Sequence, residues 1–382
     1  MASASASFPF PLRRGATAAW RHVDLGLLAS AVAIAGLGVL MVYSATQSKL
    51  SEAGLDPYMY LKRQSVWLLL GLIAMTVMFS VDYRVLRDIA PFVFLGTFLL
   101  LLLVLSPLGS STRGAQAWFQ FGSFQLEPSE WAKLALIICV AAYCATHRGD
   151  LDGRRLLTVL GLAAVPMALI YLQPDLGTDL VFGGILIGVL VVAGARPRHI
   201  AALVLIAVVG MVAVVQLGVL KQYQVDRLTA FANPTNDPQR SAYNQAQAKI
   251  AISSGGMLGK GLFKGTQTNL SFVPEQQTDF IFTVVGEELG FVGAFTLLAL
   301  FAVVVWRTWR TATLARDQFG TLLCVGVLAM FVFQIFENVG MTMGIMPITG
   351  IPLPFMSYGG SSTVANFAAV GLVLNVHMRR FA

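Results

Sequence analysis

Apolar runs of membrane-crossing length recur from one end of this chain to the other, and they leave few folds open. A hydrocarbon layer of about 30 Å is crossed by about 20 apolar residues in a helix. Such stretches fall at 24–45, 64–81, 88–107, 129–147, 155–173, 176–195, 198–218, 280–306, 320–345 and 358–378. Lipid offers no water to satisfy backbone amides, so each run has to be helical. The expected fold is an all-α polytopic membrane protein with about ten transmembrane helices, the seventh stopping short or running on as an extramembrane helix. Hydrophobic residues make up 56% of the chain and charged residues 12%, a balance that a soluble core cannot absorb. The 382 residues therefore read as one membrane domain, 24–382, behind an N-terminal tail, 1–23. That tail is basic, and the run after it is longer than the apolar part of a secretory signal, so an uncleaved first span is expected.

Orientation follows from Lys and Arg placement. With the N-terminus inside, the short inside connections carry Arg84 and Arg87, then Arg148, Arg154 and Arg155, then Arg196 and Arg198, then Arg307, Arg310 and Arg316, and last Arg379 and Arg380. The outside connections at 174–175 and 346–357 carry no Lys or Arg. Both termini are thus expected to be cytoplasmic, and the net charge of +7 reports topology; no nucleic-acid partner is expected. Cys139, Cys144 and Cys324 sit inside apolar runs without metal-like spacing and read as small buried hydrophobes.

One large extracytoplasmic loop, 219–279, is expected between helices 7 and 8. It carries Lys221, Asp226, Arg227, Asp237, Arg240, Lys249, Lys260 and Lys264, and its segment Tyr243–Ser254 has helical character that ends at Gly255 and Gly256. A phosphate-binding loop at Gly255–Gly261 fails on spacing, since Ser254 and Gly261 stand where glycine and Ser or Thr are needed.

Each charge inside an apolar span costs roughly 2.5–3.5 kcal/mol on insertion scales and asks for a reason. Glu130 and Lys133, at i and i+3, can pair. Asp175 and Asp179 repel on one helical face, which points to a cationic partner or a bound ion, with Asp175 as a helix cap the alternative. Asp279 opens the eighth span, where dipole arguments alone favour a carboxylate. Glu287 and Glu288 lie two turns deeper, and Gln334, Glu337 and Asn338 form another polar group in the ninth span. These suggest a polar interior or cavity, or polar contacts that specify helix packing. The uncharged stretch Pro347–Ser362, PITGIPLPFMSYGGSS, cannot be a regular helix and is expected as a re-entrant or tightly folded outer loop near Asp279.

Five segments together resemble the SEDS family, the cell-wall polymerases typified by RodA, FtsW and SpoVE: GAQAWFQFGSFQLEPSEWAK, QPDLGT, NPTNDPQRSAYNQAQAKIAISSGGMLGKGL, PEQQTDFIFTVVGEELG and PITGIPLPFMSYGGSS. The GIPLP form is more similar to the elongation-type RodA than to the division-type FtsW. The resemblance implies a peptidoglycan glycosyltransferase that polymerises lipid II for cell elongation and rod shape. It places the protein in the bacterial cytoplasmic (inner) membrane with an extracytoplasmic active face. It also implies a class B penicillin-binding protein as partner, beside other elongation-complex membrane proteins. The family's TDF aspartate maps onto Asp279 as the catalytic carboxylate; Gln277 stands where that motif often has histidine. The Glu–Lys pair maps onto Glu130 and Lys133, and the QPD aspartate onto Asp175.

The chemistry asks for a base to take a sugar hydroxyl proton and positive charge for a departing diphosphate. Lys133, Arg227, Arg240 and Lys260 are candidates for the second role. Gly359 and Gly360, beside Ser357, are candidates for close backbone approach to a phosphate, with turn-making the alternative. No organic cofactor is implied; a divalent cation, Mg or Mn, held by Asp279 or Asp175 is an open option. A lipid II flippase and a non-catalytic scaffold are the rival readings.

Overall fold

The computed structural model describes residues 22–112, 115–122, 124–147, 152–216 and 241–380, with isolated positions 218, 225, 227 and 231. Arg13, Arg14, Arg148, Lys221, Asp226, Asp237 and the candidate Arg240 lie outside the described residues.

Twelve helices are described: α1 (Leu25–Glu52), α2 (Met59–Ser80), α3 (Tyr83–Leu105), α4 (Pro128–Thr146), α5 (Gly153–Leu172), α6 (Leu176–Val192), α7 (Pro197–Gln216), α8 (Ser241–Ser254), α9 (Thr266–Asn269), α10 (Ile281–Thr313), α11 (Gln318–Met343) and α12 (Gly360–Arg379). Eight of them are long and apolar enough to cross a membrane; α6 and the apolar part of α7 are shorter. This is a multi-pass membrane protein, and α8 takes the place of the helical segment expected at Tyr243–Ser254.

Expectation and structure part in several places. A three-stranded antiparallel sheet, β1 (Ser110–Thr112), β2 (Ala115–Phe121) and β3 (Phe124–Leu126), joins α3 to α4 in order β1-β2-β3, so the fold is not purely helical. Helix α1 continues to Glu52, beyond the expected end at 45. Helix α2 begins at Met59, earlier than 64.

Helices α4 and α12 form the centre, with almost every residue buried. Helix α12 packs along α2 and touches α11, α4 and α1; α10 lies between α1 and α11. Lipid-facing residues on α2, α3 and α7 stay exposed, among them Leu69, Phe92 and Ile206, as expected where the solvent is hydrocarbon. Cys139, Cys144 and Cys324 are free and buried.

The two ends of the bundle differ in charge. At one end Arg307 reaches Asp24 (3.5 Å), Arg379 reaches Asp82 (3.3 Å) and Arg84 reaches Asp317 (3.5 Å). These pairs tie α1, α10, α12 and the α2–α3 and α10–α11 turns together at the arginine-rich end. The opposite, arginine-poor end carries the sheet, α9 and the loop Pro347–Gly359.

Helix α10 is broken at Gly290, whose φ is +64°. The break is filled by the chain after α8. Lys260 and Gly261 donate backbone N–H to the carbonyls of Glu287 and Glu288 (3.0 Å each), and Phe291 and Val292 donate to Gly256 and Met257 (2.9 and 3.1 Å). The backbones approach so closely that a Cβ on Gly290 would stand 2.2 Å from the Gly259 amide nitrogen. The glycines of 255–261 therefore serve a backbone splice as well as turns.

Candidate active site

Asp279 ends the segment after α9, two residues before α10, and is half-buried. Its backbone is held at both sides. The amide donates to the Glu275 carbonyl (3.1 Å), and its carbonyl accepts from Asn338 Nδ2 (2.8 Å). The same Asn338 amide donates to the Ile351 carbonyl (2.8 Å). One fully buried side chain on α11 thus pins both the TDF segment and the Pro347–Ser362 stretch.

That stretch folds as a tight loop against the TDF segment, as expected. Tyr358 donates its amide to the Gln277 carbonyl (2.8 Å), Ser357 Oγ donates to the Thr278 carbonyl, and Leu353 donates its amide to Ser357 Oγ (2.9 Å). Ser357 is thus a tie between loop and TDF segment.

Gly350, with φ +81°, marks where charges meet: a Cβ there would lie 3.4 Å from Asp279 Oδ2 and 3.7 Å from Arg227 Nη1. Arg227 Nη1 donates to the Thr349 carbonyl (3.2 Å), and Thr349 Oγ1 donates to Glu337 Oε1 (3.0 Å). The buried acid on α11 therefore steadies the residue that holds Arg227. The start of α6 closes this wall, since a Cβ on Gly177 would touch the Thr349 carbonyl at 3.0 Å. Asp175 Oδ1 accepts from the Thr178 amide (3.0 Å), the capping role weighed for it.

A second acidic group stands beside this wall. Glu127 precedes α4, accepting from Trp118 Nε1 on β2 (3.1 Å) and Ser129 Oγ (2.8 Å), while its amide donates to Ser361 Oγ (2.8 Å). Withdrawal from water pushes the Glu127 carboxyl up to about 8, helped by the nearby charges of Glu130 and Asp175 and opposed by Ser129 and Lys133. A proton held more tightly by the folded chain stabilises it below the ordinary carboxylate range, and that contribution is lost as pH rises through about 8. Glu127→Gln is therefore expected to flatten the fall of melting temperature with pH between about 5 and 8, read by thermal unfolding in detergent at stepped pH. An unchanged slope would remove Glu127 as its source.

The remaining candidates take other places. Lys133 and Glu130 form a 2.7 Å ion pair with side chains only 2% and 4% exposed, so both are enclosed within the bundle. Lys260 is bonded to Glu287 at 2.8 Å and to Thr266 Oγ1 at 2.6 Å, engaged in the splice on α10. Glu287 and Glu288, read from sequence as lining a polar interior or packing helices, are anchors for the loop after α8: backbone amides of Gln267, Thr268 and Phe263 donate to them. Gly360 meets the Trp67 ring, 2.2 Å from where a Cβ would stand, and a Cβ on Gly359 would stand 2.6 Å from Ser362 Oγ; at Gly360 close helix packing accounts for the missing side chain. Among the described residues no three His, Cys, Asp or Glu side chains converge as a metal cage requires. Of the described basic candidates, Arg227 is the one placed beside Asp279. Glu127 and Thr349 went unnoticed in sequence; an acid directly before a helix-opening proline was the available signal for the first.

The FTSW_RODA_SPOVE family, described as "Cell cycle protein", matches residues 25–381. A probable peptidoglycan glycosyltransferase FtsW of Geobacter metallireducens is 39% identical over 93% of this chain and 95% of its own length. Peptidoglycan glycosyltransferase MrdB of Escherichia coli K12 is 34% identical, with 94% of each chain covered. A solved structure described as structural coordination of polymerization and crosslinking by a peptidoglycan synthase complex superimposes with a TM-score of 0.77 at 34% identity, covering 95% of this chain and 99% of that one.

Proposed function

As the chain belongs to the FtsW, RodA and SpoVE family and is a peptidoglycan glycosyltransferase, we propose that it polymerises lipid II at Asp279, on the extracytoplasmic face of the bacterial cytoplasmic membrane. The observation that carries this reading is the meeting of the Asp279 carboxylate and the Arg227 guanidinium at Gly350, at the arginine-poor end of the bundle. The positive-inside rule supports an outward-facing position for that end.

A sugar hydroxyl attacking an anomeric carbon sheds its proton as the bond forms. A carboxylate at the membrane surface can take that proton while the substrate's lipid tail stays in the bilayer. The bond to the departing diphosphate breaks at the same carbon, and Arg227, steadied through Thr349 and Glu337, supplies fixed positive charge for it. Lys133 reaches a substrate only if the helices around it part. A class B penicillin-binding protein is the partner proposed here, with other elongation-complex membrane proteins beside it.

The test is polymerisation of fluorescent lipid II by the purified chain with its transpeptidase partner. Glycan strands on a gel support the reading. Lipid II that crosses liposome membranes without forming polymer would replace it with a flippase. The elongation role suggested by the GIPLP form and a division role share this geometry. A fluorescent fusion that tracks the lateral wall selects the first, one confined to the septum the second.

A further inference from the structure

Helix α1 is longer than its membrane needs. Its 28 residues rise about 42 Å at 1.5 Å per residue, against a hydrocarbon layer of about 30 Å. The arginine-rich end of α1 is fixed, because its capping Asp24 is bound by Arg307. The surplus turns therefore emerge at the other end, in the aqueous layer where the candidate active site lies. There they form one wall of an open cleft of about 470 Å³, lined by Tyr43, Gln47, Ser48, Ser51, Glu52 and Tyr58. That volume is in the range of small-molecule sites.

The lining has a definite chemistry. Two tyrosine rings lie parallel, 5.4 Å apart with 6° between their planes, and Tyr58 is half exposed. An amide, two hydroxyls and a carboxylate surround them. Among the described residues no Lys or Arg lines the cleft, which disfavours a phosphate, and Glu52 and Gln47 disfavour an acyl chain. Flat aromatic surface beside hydroxyl, amide and carboxylate partners suits a sugar: its C–H face lies on a ring while its hydroxyl and acetamido groups find donors and acceptors.

A chain of contacts links the cleft to the segment that carries Asp279. Two residues past Tyr58, the Tyr60 ring meets the Tyr358 ring edge-on at 4.7 Å, and the Tyr358 amide donates to Gln277, two residues before Asp279. On its other side Ser48 Oγ donates to Asn269 Oδ1 (3.0 Å) and Tyr43 meets the Phe263 ring, so the wall is braced by the loop after α8.

We propose that this cleft is a glycan-binding subsite that takes a stretch of β-1,4-linked N-acetylhexosamine strand beside the reacting end. Its role in strand growth rests on the polymerase reading above; its sugar binding does not. The probe is a β-1,4-linked N-acetylglucosamine tetramer, its contact with the full chain in lipid nanodiscs read by saturation-transfer NMR. The wild type is expected to bind the tetramer, and Tyr58→Ala and Gln47→Ala each to weaken it at least tenfold. In the lipid II assay Tyr58→Ala is expected to yield shorter strands. Tyr58 is exposed enough that its loss leaves the fold intact, which the melting temperature checks. No transfer to the wild type, or equal affinity in both variants, overturns the subsite and leaves the tyrosines as interfacial anchors. Tetramer binding through Tyr58 in a chain that makes no polymer keeps the subsite and removes the polymerase.

Discussion

Asp279→Asn is expected to lower lipid II polymerisation by about 10²–10⁴-fold, the range for loss of a positioned general base, with little change in melting temperature. The separation of the two effects follows from how Asp279 is held. Its main chain makes the bonds that fix the segment, to Glu275 and to Asn338, and an asparagine keeps both. The amide is nearly the same size as the carboxylate but takes no proton. The measurement is strand formation on a gel, beside thermal unfolding and co-purification with the transpeptidase partner. A folded, partner-bound variant with wild-type activity would take Asp279 out of the chemistry.

Much of the frame was legible before the structure. Membrane spans follow from length and hydropathy because lipid imposes both, and the arginine-bearing turns gather at one end, as their spacing requires. The folded outer stretch Pro347–Ser362 was legible from three prolines and three glycines without a charge. What stayed hidden depended on partners far away in sequence. Helix α1 overran its expected end because a hydropathy window stops where lipid stops, while the helix continues through Gln47 and Glu52 into water. The sheet at Ser110–Leu126 escaped notice because its longest strand has only seven residues and pairs with two of three. Asn338 read as one polar residue among others; that it links the Asp279 and Ile351 carbonyls could not be read from its own helix.

Glu287 is the clearest case of a charge whose reason lies elsewhere in the chain, and its removal is expected to be the most damaging single change to the fold. Hydropathy marks it as an expensive acid two turns into α10, which invites a cavity or an ion. The structure answers with donors. Oε1 accepts from Lys260 Nζ (2.8 Å), the Gln267 amide (2.8 Å) and Thr266 Oγ1 (3.2 Å), and Oε2 accepts from the Thr268 amide (3.0 Å) and Thr268 Oγ1 (2.9 Å). The side chain is fully buried, so Glu287→Ala strands the buried Thr268 amide, the partly buried Gln267 amide and an ammonium group beside a new void. Breaking a buried charge pair from one side costs about 3–5 kcal/mol. Lys260→Met is expected to cost less, because Lys260 is 27% exposed and the amides keep their acceptor. The expected result is a large fall in melting temperature for Glu287→Ala and fast hydrogen exchange at Gln267 and Thr268, with Lys260→Met falling between it and the wild type. Activity should fall with stability, since the chain from Thr268 leads directly to Asp279. Protected amides and a melting temperature within about a degree of wild type would show that the splice at Gly290 holds the loop without the acid.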